Sequence, residues 1–244
     1  MLVFKKTLRG TEVTYYKERL LNGLSTGTRE RDFIQESSAR SKRNIIDYGL
    51  SNKWTHFITI TFDPAKHNRF QYDLLVQKIT NYFKNYKQRK DSEFKYLISP
   101  EQHKDGALHF HGLVKLSKYE YLAYRKIRDK AKIFEHKEIR KKFGFNEFTE
   151  IYDHQEFITY YISKYVSKNY NSKITSQRFY KSKQLDQPKK LYVDEKKLKH
   201  EFIELLGIKP DLEMQFATKW KLSDMDYKIL FRYQDHIKEF VLNG

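Results

Sequence analysis

FKYLISPEQHKDGALHFHGLVKL, residues 94–116, is the stretch on which the fold turns. It reads as two strands, 94–102 and 107–116, joined through Lys104, Asp105 and Gly106. A three-residue turn with Gly106 left-handed sets Ala107 opposite His103 and His109 opposite Glu101. Glu101, His103, His109 and His111 then share one face, while Leu108, Phe110 and Val114 point to the other. A two-residue Asp-Gly turn would put Glu101 on the wrong face. Two imidazoles and one carboxylate form a donor set for a catalytic divalent cation with open positions. Mg²⁺ or Mn²⁺ suits it, and ligand type alone also admits zinc. A His-x-His pair is weak by itself in a chain with nine histidines, so the hairpin register carries the metal assignment to Glu101, His109 and His111. His103 reads as a neighbour or a DNA contact.

Upstream, WTHFITITF (54–62) alternates as a strand, with Ile58, Ile60 and Phe62 on one face and Thr59 and Thr61 on the other. Residues 70–88 place Leu75, Val76, Ile79, Tyr82, Phe83 and Tyr86 at helical spacing. Residues 34–50 read as a basic helix, and 1–33 as polar and mixed. Downstream, Ser117 is expected to cap a helix over about 118–142 that Gly144 ends. A strand at 145–152 and a helix at 154–169 follow.

This order predicts an α+β fold: an antiparallel sheet of about five strands in the split βαβ plan, with two crossover helices on one face. The expected organisation is an N-terminal basic extension with a helix (1–53), a central domain (54–190) and a C-terminal extension (191–244). The extension either completes the central domain or forms a small module. It offers a helix (194–206), strand-like runs at 212–219 and 226–233, and a short final helix.

On the 154–169 helix, Tyr161, Lys164, Tyr165 and Lys168 fall at i, i+3, i+4 and i+7, a single stripe. A phenol titrates near pH ~10, and a neighbouring ammonium is expected to lower that value and to meet charge growing on a phosphate. Tyrosine attack on DNA gives a phosphotyrosine and frees a 3′-hydroxyl. Read alone, the stripe better fits a core-facing pair of tyrosines with lysines reaching outward.

The 244 residues carry 48 Lys+Arg against 31 Asp+Glu, a net charge of +17, which points to a polyanionic partner. With 19 Tyr and 18 Phe to spare, single-stranded DNA is favoured, because bases stack on exposed rings. The absence of cysteine excludes disulfides, Cys-ligated zinc and thiol catalysis. No membrane-length apolar run, signal peptide or P-loop is found, so a cytoplasmic protein without a motor of its own is expected.

In order, FITITFDP (57–64), EQHKDGALHFHGLV (101–114) and YISKYVSK (161–168) resemble the three motifs of HUH-superfamily rolling-circle replication initiators. RFYKSKQL (178–185) is similar to a basic stretch that follows the tyrosine helix in small-phage members, so the resemblance spans about 54–185. The doubled tyrosine resembles the two-tyrosine type of single-stranded DNA phages. The resemblance implies a ferredoxin-like HUH endonuclease fold with His109, His111 and Glu101 as metal ligands. It implies Tyr161 as first nucleophile, Tyr165 as second, and Lys164 and Lys168 beside them. It further implies origin hairpin DNA as substrate, and a host helicase and polymerase as partners in a bacterial cytoplasm. The alternatives are a transposase or relaxase of the same chemistry, or an inactive DNA-binding module.

Overall fold

The computed structural model describes residues 2–16, 29–152, 155–168, 177–193, 207–214 and 217–222. The helix expected at 194–206, the run at 226–233 and the final helix lie outside these residues. The chain forms two compact units, residues 28–186 and residues 1–27 with 187–244. The larger is α+β, and the sheets of both are antiparallel.

The larger unit holds α1 (Arg29–Ser51), β3 (His56–Thr61), α2 (Tyr72–Arg89), β4 (Lys95–Gln102), β5 (Leu108–Lys115), β6 (Leu122–Arg128), β7 (Ala131–His136), α3 (Lys137–Lys142), β8 (Asn146–Glu150), α4 (Gln155–Lys168) and β9 (Tyr180–Lys181). Its seven strands run in the order β6-β7-β8-β3-β5-β4-β9. The central four, β8-β3-β5-β4, stand in the split βαβ order. Both β3 and β4 pair antiparallel with β5, so α2 is a crossover between parallel strands.

Alternation along the strands builds two different faces. Ile58, Ile60, Phe62, Ile98, Phe110, Val114 and Phe148 are buried against Leu75, Val76, Ile79 and Phe83 of α2. Each such side chain withdrawn from water stabilises the fold by about 1.5–3 kcal/mol. On the other face Leu97 and Leu113 pack against Ile45 and Tyr48 of α1 and Ile162 of α4. Gly112 lets β4 and β5 close: a Cβ there would stand 2.2 Å from the Leu97 carbonyl oxygen.

The expected 118–142 helix is not formed. Its first half is the β6–β7 hairpin, and only Lys137–Lys142 are helical, ended by Gly144. Two features decide this. Ser117 does not cap a helix; its N–H and hydroxyl donate to the buried carboxylate of Asp91 at 2.7 and 2.6 Å. Asp129 and Lys130 take φ of +50° and +66°, the backbone of a two-residue hairpin turn. Tyr121, Tyr124 and Ile127, three apart, imitate a helical stripe in the sequence. The sheet therefore has seven strands rather than about five.

RFYKSKQL supplies the last of them: Tyr180 and Lys181 pair with Ile98 and Leu97 of β4, and Leu185 is buried beyond them. In the other unit, β1 (Leu2–Thr7), β2 (Gly10–Tyr16), β10 (Lys189–Val193), β11 (Leu212–Met214) and β12 (Ala217–Leu222) form a sheet in the order β10-β1-β2-β12-β11. Its core is Leu2, Phe4, Val13, Val193, Trp220 and Leu222. Residues 2–16 thus form a hairpin where the sequence shows only polar, mixed chain.

His56 and His136 are buried beside Phe148, and burial pushes both imidazoles down to about 4. Neutral His136 also caps α3, accepting from the Ile139 N–H at 3.5 Å. Unfolded histidine titrates near 6.5, so between those values the unfolded chain binds more protons. Stability is full above about pH 6.5 and is lost as pH falls toward 4, by up to roughly 3 kcal/mol per histidine. The denaturant midpoint should be lower near pH 5 than near pH 7; equal midpoints would contradict this.

Candidate active site

The β4–β5 hairpin has the odd turn read from the sequence. Glu101 pairs with His109, the His103 N–H donates to the Ala107 carbonyl at 2.8 Å, and Gly106 has φ +85°. Glu101, His103, His109 and His111 therefore share the face opposite α2. There His111 Nε2 meets Glu101 Oε2 at 2.8 Å. The His109 ring stacks on the more exposed His103 ring, centroids 4.9 Å apart.

The neighbouring strand fixes both imidazoles from behind. Thr59 lies opposite His111 and Thr61 opposite His109 in the β3–β5 register. Their hydroxyls meet His111 Nδ1 at 3.1 Å and His109 Nδ1 at 3.0 Å. Each ring thus has Nδ1 engaged, leaving Nε2 as the nitrogen that reaches forward. Burial, and then the neighbouring His103 and His111, lower the His109 pKa, which favours the neutral, ligating form. The sequence signal for this support is the alternation of Thr59 and Thr61 in FITITF, which alone reveals no contact with the histidines.

Among the described residues, no three His, Asp or Glu side chains close around a common point. Glu101 is engaged by His111, and His109 lies against His103. The donor chemistry nevertheless fits a hard or borderline divalent cation: two imidazoles with anchored Nδ1 atoms, and a carboxylate touching one of them.

Helix α4 lies over this same face. Its stripe of Ile158, Ile162 and Tyr165 turns inward, and the buried Gln155 side-chain amide ties its first turn to α1, donating to the carbonyls of Gly49 and Asn52 at 2.8 and 2.7 Å. Tyr165 is 4% exposed and stacks on His111, with centroids 4.4 Å apart and 8° between planes. Its hydroxyl donates to the Tyr161 hydroxyl. Tyr161 is 48% exposed, its ring edge-on to Phe57 at 5.9 Å. The phenols are therefore on the imidazole side of the sheet, not across it.

The stripe is not uniform, however. Burial, the hydrogen bond to Tyr161 and the charge of Glu101 raise the Tyr165 pKa, the reverse of the lowering expected from a lysine neighbour. Tyr165 is held as a neutral phenol. Lys164 is exposed on the same helix. Lys168 ends α4, and its side chain lies outside the described residues.

A four-strand split βαβ core with an imidazole–carboxylate face beneath a tyrosine helix is the frame on which the family comparison falls. Residues 55–170 match the model of a family described as replication-associated protein, of the ORF2 kind. The matched segment runs from the edge of β3 past the end of α4, and so takes in every side chain placed above. The match supports a replication initiator of the Rep type. No curated protein and no solved structure matches the chain. Among the described residues, no helix is long and apolar enough to cross a membrane.

Proposed function

We propose that this chain is a rolling-circle replication initiator that nicks one DNA strand at an origin, remains attached through tyrosine, and later rejoins the strand. The observation that carries the reading is the stacking of Tyr165 on His111 with the Tyr161 hydroxyl bonded to it, because it sets a half-exposed phenol beside the Glu101–His111 pair.

Glu101, His109 and His111 hold a divalent cation, Mg²⁺ or Mn²⁺, which when bound supplies Lewis-acid polarisation of the scissile phosphate. Thr59 and Thr61 keep the two imidazoles turned so that Nε2 faces the phosphate. Tyr161 is the nucleophile. Its hydroxyl gives its proton to solvent as its oxygen bonds to phosphorus, and the bond from phosphorus to the 3′ oxygen breaks. That oxygen takes up a proton, leaving a 3′-hydroxyl primer and a 5′-phosphotyrosine. Tyr165, neutral and donating to Tyr161, stabilises charge on the attacking oxygen. Lys164 and Lys168 supply positive charge along the same helix for the approaching strand. In a two-tyrosine cycle Tyr165 serves as the second nucleophile once Tyr161 is consumed. Single-stranded and hairpin origin DNA are the substrates, with a host helicase and polymerase completing replication in the cytoplasm of a bacterial cell.

The test is incubation of the full chain with single-stranded origin DNA and Mn²⁺. A DNA-linked band that survives denaturing electrophoresis, and disappears when the cation is chelated, is the expected result. DNA binding without any adduct would instead mark an inactive binding module.

The threonine support gives a separate readout. Thr59→Val with Thr61→Val keeps side-chain shape and removes both hydroxyls, and about 10–100-fold of Mn²⁺ affinity should go with them. Titration followed by the resonance signal of free Mn²⁺ measures this. Affinity equal to that of the unaltered chain would show that the hydroxyls do not orient the ligands.

A further inference from the structure

We infer that the β6–β7 hairpin is a duplex-DNA ribbon, seated in the groove of the base-paired DNA beside the nick site. The inference rests on the DNA reading above but not on the tyrosine chemistry.

The hairpin is an extension that the split βαβ core does not need. Strand β7 pairs with β8 through Ile133 and Phe134, whereas β6 and β7 pair with each other from Leu122–His136 out to Arg128–Ala131. Its outer half is therefore a two-stranded ribbon, closed by the Asp129–Lys130 turn. Every residue from Tyr124 to Lys130 is exposed, with Tyr124 at 58% and Ile127 at 63%. A solvated hairpin gains nothing by presenting a large aliphatic side chain near its tip; a ribbon that meets a partner does.

The charge pattern identifies the partner. Arg125, Lys126, Arg128, Lys130 and Lys132 stand against Asp129 and Glu135 within the hairpin. Directly opposed residues share a face, so Ile127 and Lys132 lie on one face of the ribbon, and Lys126 and Arg128 on the other. Cations on both faces, with an apolar residue between strands near the tip, match a groove walled by two phosphate backbones and floored by base edges. The major groove of DNA admits a two-stranded ribbon of this width, and thymine methyls there accept apolar contact. A platform for single strands would concentrate its cations and rings on one face. Glu147 and Glu150 of β8 brace Arg128 and Lys132 at 3.5 and 4.0 Å, and Glu135 braces Arg125 at 2.6 Å, so these side chains are already ordered.

The experiment uses the full chain and two DNA probes of equal length, a stable hairpin and an unstructured strand, with binding followed by fluorescence anisotropy across a salt series. The variant is Lys126→Gln with Lys130→Asn, since asparagine accepts the left-handed backbone at the turn. Hairpin binding should weaken about tenfold, and its salt slope should fall by up to about 2, from two lost phosphate contacts. Affinity for the unstructured strand should stay within about twofold. A charge-matched control on α2, Lys84→Ala with Arg89→Ala, should leave the hairpin preference unchanged. Ile127→Ser, which alters no charge, should also weaken hairpin binding and leave the salt slope alone. Unchanged hairpin binding, equal losses on both probes, or an equal loss in the α2 control overturns the inference. A chain that forms no covalent adduct yet loses hairpin binding in the ribbon variant would overturn the nicking reading and leave this one standing.

Discussion

Tyr161→Phe should abolish the covalent protein–DNA adduct, with single-turnover cleavage falling on the order of 10³-fold or more, as removal of a nucleophile requires. Tyr165→Phe should behave differently. It keeps the ring that stacks on His111 and loses only the hydrogen bond donated to Tyr161, so an adduct still forms, about 10–100-fold more slowly. The contrast follows from exposure: Tyr161 opens to solvent, and Tyr165 is covered and kept protonated by burial and by its neighbours. Rapid-quench cleavage of a labelled strand measures both rates. Equal losses in the two variants would mean that the tyrosines act as interchangeable nucleophiles from the start.

His109→Ala with His111→Ala should remove cleavage almost entirely, by about 10³-fold, while leaving binding to single-stranded DNA intact. The two side chains belong to the reacting face, whereas affinity comes from a chain of net charge +17 that releases counterions wherever it meets phosphates. Salt titration of the variant should therefore give nearly the slope of the unaltered chain. There is a structural cost, because the substitutions strand the hydroxyls of Thr59 and Thr61 and the carboxylate of Glu101. Melting curves must accompany the assay. Loss of DNA binding by a variant that melts normally would show that recognition and chemistry are not separable in this way.

The centre of the molecule is legible in the chain because its signals are local. Alternation in FITITF and LHFH assigns faces, and the Lys104-Asp105-Gly106 turn fixes register, which brings Glu101 and both histidines to one side of the sheet. The same is true of α2, whose six buried residues are those picked out by helical spacing. What the sequence conceals is tertiary. Residues 118–142 have strong helix formers and a false stripe of Tyr121, Tyr124 and Ile127; nothing nearby reveals that Asp91 captures Ser117 from 26 residues away. The β1–β2 hairpin is hidden because its partners, β10 and β12, come from the far end of the chain. Motif content also cannot show that Tyr161 and Tyr165 differ. Their spacing is symmetrical, and only the packing of α4 onto His111 separates an exposed hydroxyl from a covered one.

The most direct measurement is to digest the Mn²⁺-dependent adduct with protease and nuclease and locate the residual nucleotide by mass spectrometry. A nucleotide 5′-phosphate on Tyr161 is the predicted result. Attachment to a tyrosine elsewhere in the chain, or strand cleavage that leaves no protein-linked nucleotide at all, would contradict the central claim.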